Sequence, residues 1–209
     1  MNEVAPPRIS RGRAAVTVVV GLTLAGALMG ALWALIAPPI HGVIALTKSG
    51  DRVHAYLGNE ADNFFITAFL LVGLAVALAV VSAVLVWHWR PHRGPVLVAA
   101  LAIGSAAAAG AAAGVGALLV RSRYDVVDIP GAPISPEHRV HYVTEAPPVF
   151  FAHSPFLIAA SILFPAAMAA LVYALIAVST SRDDLGGWPP EESVLPPPVR
   201  VDGALPSAP

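Results

Sequence analysis

Residues 96–120 read VLVAALAIGSAAAAGAAAGVGALLV and contain no charged side chain and no histidine. A helix needs about 20 apolar residues to cross the hydrocarbon core of a bilayer, so this run is long enough to span one. Three more runs with the same property lie at residues 14–37, 64–87 and 156–179. Their apolar side chains surround the helix instead of forming one face. We therefore predict an α-helical membrane protein with a four-transmembrane-helix bundle, the third span covering residues 95–120.

The composition of the 209-residue chain agrees with this class. Hydrophobic residues make up 57% of the chain and charged residues 12%, whereas soluble domains carry about 25% charged residues. The net charge of −1 gives no electrostatic basis for binding nucleic acid. The chain has no cysteine, which excludes disulfides and cysteine-ligated zinc. No cofactor is predicted.

The first apolar run has an alternative interpretation as a cleaved signal peptide, since Arg8, Arg11 and Arg13 precede it. The apolar part of a signal peptide is usually about 7–15 residues long, and this run is longer and ends in Ala-Pro-Pro. A membrane span is therefore favoured over a cleaved signal.

Four spans place both termini on the same side of the membrane. With the N-terminus inside, the inner segments hold seven arginines and the outer segments five lysines and arginines. The positive-inside rule then predicts a multi-pass protein of the bacterial plasma (inner) membrane with cytoplasmic termini. Residues 1–13 form the basic N-terminal segment, and the outer loops are residues 38–63 and 121–155. Residues 180–209, with seven prolines, are predicted to be a disordered cytoplasmic tail.

Both outer loops contain the pattern of a β-hairpin. GVIALT and RVHAYL flank the turn sequence KSGD in the first loop, and YDVVDI and RVHYVT flank PGAPISPE in the second. Residues 52–65, RVHAYLGNEADNFF, are also echoed by residues 139–151, RVHYVTEAPPVFF. The echoed polar positions are Arg52, His54, Glu60, Arg139, His141 and Glu145.

The echo indicates a parallel duplication of a helix–β-hairpin–helix unit, related by an axis along the membrane normal. The alternative is chance similarity over a few residues. Because an isolated hairpin is only marginally stable, we expect the two hairpins to pack into one small extracytoplasmic β cap.

Small residues at helical spacing predict close helix packing. Gly110 and Gly114 form a GxxxG step in the third span, and Gly26 and Gly30 have the same spacing in the first. Since lipid provides no hydrophobic drive between helices, such residues allow the backbones to approach closely. Packing within the chain and dimerisation are both consistent with the motif, and the first is favoured.

The sequence offers little catalytic chemistry. The span cores contain no ionisable side chain, which argues against proton-coupled transport. No GxxxxGK[ST], HExxH or GxSxG motif is present, and the protein is not predicted to be an enzyme. His54, His138 and His141 are candidate metal ligands in the outer loops, although ordinary loop histidines are the favoured alternative.

LWALIAPP (residues 32–39), ADNFFITAFLLVG (residues 61–73) and the Gly- and Ala-rich third span carry a family resemblance. Over roughly residues 14–180 the chain resembles a family of actinobacterial four-span membrane proteins labelled only as having a domain of unknown function. The resemblance implies an integral plasma-membrane protein and assigns no catalytic or binding residue.

Three functions are consistent with the sequence. The favoured one is a non-enzymatic accessory or scaffold of an envelope complex, which contacts membrane lipids and a protein partner through its outer loops or its proline-rich tail. A homo-oligomer fits this role. The second is a transporter or channel subunit for a small or lipidic solute. The third is an extracytoplasmic metal-binding protein or sensor that uses the histidines and acids of the outer loops.

Overall fold

Four long helices form on the four apolar runs. The computed structural model describes residues 9–180. The helices are α1 (Arg11–Ile36), α2 (Asn63–His88), α3 (Pro95–Arg123) and α4 (Pro155–Val178). By length and composition all four are candidate membrane spans, which confirms the predicted helical class and number of helices. The predicted tail, except Thr180, and residues 1–8 of the basic segment lie outside the described residues.

Helix α1 begins inside the segment predicted to precede the first span. Ser10 is its N-cap, and the Ser10 side chain accepts a hydrogen bond from the backbone N–H of Arg13 at 3.3 Å. A serine at this position satisfies a donor that would otherwise have no partner in the first turn. Arg11 and Arg13 therefore belong to the first turn of the helix.

Helices α1 and α3 approach through small residues. A Cβ atom added at Gly26 would lie 2.5 Å from Cα of Ala108, and one added at Gly30 would lie 2.7 Å from Cα of Ala112. Neither position can hold a larger residue without moving the backbone of α3. This close contact is the kind that small residues permit in membrane helices.

Gly110 and Gly114 take no part in this contact. A Cβ atom added at either position would meet no atom within 4 Å. Each lies two residues beyond Ala108 or Ala112, which is a rotation of about 200° around the helix. The GxxxG step of α3 therefore faces away from α1, and a ridge of alanines provides the contact instead.

The ends of the helices near the sheet are joined through Trp33. The Nε1–H group of Trp33 donates a hydrogen bond to the carbonyl oxygen of Thr67 at 2.9 Å, and both residues are fully buried. The single hydroxyl hydrogen of Thr67 is shared between the carbonyl oxygens of Asn63, at 2.8 Å, and Pro148, at 3.2 Å. These contacts join α1, α2 and the segment that leads into α4.

The opposite end of the bundle contains the short turn between α2 and α3. The Arg93 guanidinium lies 4.2 Å from the Trp87 ring centroid, and Arg93 Nε donates to the Trp87 carbonyl at 2.7 Å. Tyr173 of α4 contacts the same indole edge-on, with ring centroids 5.1 Å apart. The turn is thus held by aromatic and cation–π packing.

Three strands form one antiparallel sheet with the order β2-β1-β3. They are β1 (Ile40–Leu46), β2 (Arg52–Tyr56) and β3 (Val140–Glu145). Strands β1 and β2 form the predicted hairpin of the first loop. We call the sheet together with residues 124–139 the β cap.

The second predicted hairpin is wrong. Residues 124–129, YDVVDI, form no strand, and β3 pairs with β1 instead. Pro130, Pro133 and Pro136 lie between residues 124–129 and β3, and proline restricts the backbone and removes a hydrogen-bond donor. These prolines restrict the turn that would bring residues 124–129 beside β3, and β3 pairs with the free edge of β1 instead.

The echoed sequences occupy equivalent places on the two sides of β1. His54 of β2 and His141 of β3 both lie opposite Ile44, and Val53 and Val140 both lie opposite Ala45. The repeated Arg-Val-His sequence therefore has the same register on both outer strands.

Candidate functional site

One face of the sheet is covered by residues 124–139, which link α3 to β3 and which we call the covering segment. Ile40 and Ile44 of the central strand point to this face and are completely buried. Residues directly opposite on neighbouring strands share a face, so His54 and His141 lie there as well. Glu145 is opposite Ile40 on the same face. We call this side of the sheet the covered face.

Arg52 anchors the covering segment. Its Nη1 group donates hydrogen bonds to the carbonyl oxygens of Ile129 and Ala132, at 3.1 and 2.7 Å. Hydrogen bonds from a charged donor are stronger than those between neutral groups. One side chain of β2 thus holds the turn at residues 129–132 against the sheet. The equivalent Arg139 has a different role, since its Nε donates locally to the Pro136 carbonyl at 3.1 Å.

His54 and Glu145 meet across the central strand. His54 Nε2 lies 3.1 Å from Glu145 Oε1, an ion-pair distance, although the alignment is not that of a hydrogen bond. Their side chains are only 16% and 20% exposed. Between them lies Gly42, where an added Cβ atom would be 2.6 Å from His54 Nε2. A glycine in the central strand therefore leaves the space through which the imidazole reaches β3.

Tyr56 extends this cluster towards α2. Its ring packs edge-on against His54 and Phe64, with centroid distances of 4.9 and 5.3 Å. Burial and, to a smaller extent, the negative charge of Glu145 raise the pKa of the Tyr56 phenol above its usual range. The phenol is therefore neutral at physiological pH.

Glu60 joins the sheet to the start of α2. Its Oε2 atom accepts hydrogen bonds from the backbone N–H of His41 at 3.2 Å and from Asn63 Nδ2 at 2.9 Å. The same oxygen lies 3.3 Å from His41 Nδ1. Both echoed acids thus contact a histidine. Glu60 contacts His41 of β1, and Glu145 contacts His54 of β2.

Two open clefts border the covering segment. The first has a volume of about 410 Å³. Residues 141–144 and Ile44 form one of its walls, and residues 123–128 and 131–133 form the other. We call it the edge cleft, because β3 is an outer strand. The second, about 500 Å³, contains His54, Glu145 and Arg121 in its walls. Asp125 lines both clefts.

The three candidate metal ligands do not come together. His54 and His141 lie on the two outer strands, and the backbone N–H of His138 donates to Ser135 Oγ in the turn before β3. Within residues 9–180, no three His, Asp or Glu residues form a group suited to a metal ion. The polar groups of the covered face instead make pairwise contacts.

Sequence reasoning missed the role of Gly42 and of the covering segment. A glycine inside the apolar run IHGVIAL is a signal for a close approach in a strand, and it was available from the sequence. The position of residues 124–133 over the sheet had no comparable signal, because it depends on long-range pairing.

The comparisons with known proteins identify a family. The model of a family described as "Protein of unknown function (DUF2567)" matches residues 22–187. An uncharacterised protein of Mycobacterium tuberculosis H37Rv is 56% identical over 172 residues, which cover 82% of this chain and 89% of that protein.

An uncharacterised protein of Mycobacterium leprae is 53% identical over 182 residues, covering 87% of this chain and 90% of that protein. No solved structure matches the chain. These similarities agree with the expected actinobacterial family of unknown function, and the chain belongs to the DUF2567 family.

Proposed function

We propose that the protein is a non-enzymatic accessory or scaffold component of an envelope complex, anchored in the plasma membrane by its four helices. In this proposal the termini lie in the cytoplasm and the β cap lies outside, where it contacts a protein partner. The observation that carries the proposal is the position of the two clefts with charged side chains in their walls, which lie between the β cap and the adjoining end of α3.

The interior of the bundle supports an anchoring role. A cavity between α2, α3 and α4, next to Leu71, Ala109 and Ile162, has a volume of about 10 Å³, which is at the lower limit for a single water molecule. The buried core of the bundle consists mainly of alanine, valine and leucine. A transporter requires a hydrated or polar path, and this packing counts against one.

Substituted-cysteine labelling tests the orientation. The chain has no cysteine, so a single cysteine at Ser49 of the β cap or at Arg90 of the opposite end gives an unambiguous signal. We expect an impermeant maleimide to label Ser49→Cys in intact cells and Arg90→Cys only after permeabilisation. The reverse pattern would contradict the proposed orientation.

Native mass spectrometry of the full-length protein, extracted from its native membrane in gentle detergent, tests the accessory role. We expect a defined complex of this chain with a second protein. A chain that is found only by itself or with copies of itself, across several detergents, would overturn the role. Solute flux in proteoliposomes above that of empty liposomes would instead favour the transporter.

We also infer that the two halves arose by duplication. Support comes from the shared register of the Arg-Val-His sequences on both sides of β1. Comparing the first half with the second across many family members tests the inference. An absence of similarity outside this triplet would contradict it.

A further inference from the structure

Strand β3 leaves one row of backbone groups free. The backbone N–H of Leu46 donates to the carbonyl oxygen of Arg139 at 2.8 Å. Because paired and unpaired positions alternate in an antiparallel ladder, the N–H and C=O groups of Tyr142 and Thr144 point away from β1. Within residues 9–180 these outward groups have no hydrogen-bond partner. They form a free edge onto which another strand can pair.

The free edge lies beside the edge cleft, and apolar side chains flank it. Tyr142 is 69% exposed on β3, and Val126 is 94% exposed on the covering segment across the cleft. Extended polypeptides bind at such edges, where main-chain hydrogen bonds provide affinity and alternate side chains contact flanking surfaces. The edge cleft has the features of a site of this kind.

The charged lining of the edge cleft consists of two acids, Asp125 and Asp128, and one arginine, Arg123, whose guanidinium lies 5.8 Å from the Tyr124 ring centroid. The two carboxylates outnumber the guanidinium, so the cleft carries a small negative charge that favours a basic partner. In the described part of the chain, no hydrogen-bond donor or cation contacts the Asp125 carboxylate. Asp128 already accepts a hydrogen bond from the Gly131 backbone N–H at 3.0 Å. Asp125 is thus the acid in this cleft that is available to a new cation.

We propose that an extended segment of a second protein adds to β3 as a fourth strand and places a lysine or arginine beside Asp125. This inference rests on the proposed function, because the segment belongs to the partner that the β cap contacts. A second copy of this chain is a poorer fit. A symmetric contact brings the same negatively charged cleft to itself, whereas a segment with lysine or arginine supplies the opposite charge.

Site-specific photocrosslinking of the full-length protein in its native membrane tests the proposal. The photoreactive residue p-benzoylphenylalanine replaces Val126, and the adduct is identified by mass spectrometry. Thr144→Pro removes an outward N–H of β3 without removing a hydrogen bond to β1. Tyr56→Pro is the matched control, because it removes an outward N–H of β2, the other outer strand. Asp125→Lys tests the charge without changing the backbone.

We expect one adduct, which maps to an extended segment of a second protein containing lysine or arginine. Its yield falls about fivefold or more in Thr144→Pro and in Asp125→Lys, and it stays the same in Tyr56→Pro. Hydrogen exchange of β1 verifies that each variant keeps its sheet. If Thr144→Pro fails to fold, the result for Asp125→Lys decides.

Three results would overturn the proposal: an adduct with a second copy of this chain, equal yields in the β2 and β3 variants, or no adduct at position 126. A second probe at Val53, on the uncovered face of the sheet, separates the two levels of inference. An adduct at position 53 with none at position 126 excludes strand addition and leaves the proposed function intact. Adducts at neither position, together with a chain that purifies alone, exclude both.

Discussion

His54 and Glu145 lie on strands that are not neighbours, yet His54 Nε2 is 3.1 Å from Glu145 Oε1. Gly42 of the strand between them makes this contact possible, since it places no side chain in the way. The two outer strands of the sheet are thereby connected through side chains as well as through β1.

Gly42→Ala should separate this pair. The new methyl group would lie 2.6 Å from His54 Nε2 and 3.3 Å from a Val143 methyl carbon, so the imidazole must move away. We expect the free energy of unfolding to fall by about 1–3 kcal/mol, the usual cost of overpacking, and hydrogen exchange in β2 to become faster. Gly73→Ala is the control, because a Cβ atom there meets no atom within 4 Å. Equal exchange in both variants would contradict the role of Gly42.

Gly26→Ala and Gly30→Ala should destabilise the bundle, whereas Gly110→Ala and Gly114→Ala should not. The first pair forces methyl groups against the backbone of α3, at a cost of about 1–3 kcal/mol or more. The second pair meets open space, and replacing a helical glycine by alanine there is neutral or stabilises by up to about 1 kcal/mol.

Unfolding of the purified variants by sodium dodecyl sulfate in mixed micelles measures these differences. A larger loss of unfolding free energy for Gly110→Ala than for Gly26→Ala would mean that the GxxxG step of α3 contacts another molecule. The same titration at several protein concentrations would reveal such a contact.

Arg52→Met should release the covering segment. The change removes both hydrogen bonds to the carbonyl oxygens of residues 129 and 132 and keeps most of the aliphatic stem. We expect hydrogen exchange in residues 124–132 to become about tenfold faster, equivalent to about 1.4 kcal/mol. Lys48→Met in the turn between β1 and β2 is a control with the same change of charge. The prediction is incorrect if the amides of residues 124–132 exchange at the same rate in both variants.

Trp33→Phe should weaken the end of the bundle nearest the β cap. It removes the hydrogen bond to the Thr67 carbonyl and leaves a buried acceptor with one partner fewer, at a cost of about 1–3 kcal/mol. Trp89→Phe, at a half-buried position at the opposite end, is the control for the same substitution. Thermal unfolding in detergent should show a lower midpoint for the first variant alone, and a similar decrease in both would count against the prediction.

Local features of the sequence were sufficient for the helices and for one hairpin. Each apolar run is long enough to span a bilayer by itself, and hydrophobic length does not depend on neighbouring elements. The hairpin of β1 and β2 was also predictable, since the turn sequence KSGD joins strands that are adjacent in the chain.

Features that depend on distant residues were not determined by the sequence alone. YDVVDI has the composition of a strand, but a strand forms only where the backbone lies in line with a partner edge, and residues 124–129 cover a face of the sheet while β3 pairs with β1. The metal candidates His54 and His141 likewise became members of separate outer strands.

The sequence by itself determined which segments are apolar and long enough to span a bilayer, because that property is the sum of local side-chain transfer energies. Only the tertiary structure decided which small residues join α1 to α3, that His54 reaches Glu145 over Gly42, and that residues 124–133 cover the sheet. The physical reason is that a contact exists only where two surfaces meet, and the sequence of one segment does not specify where the other will be.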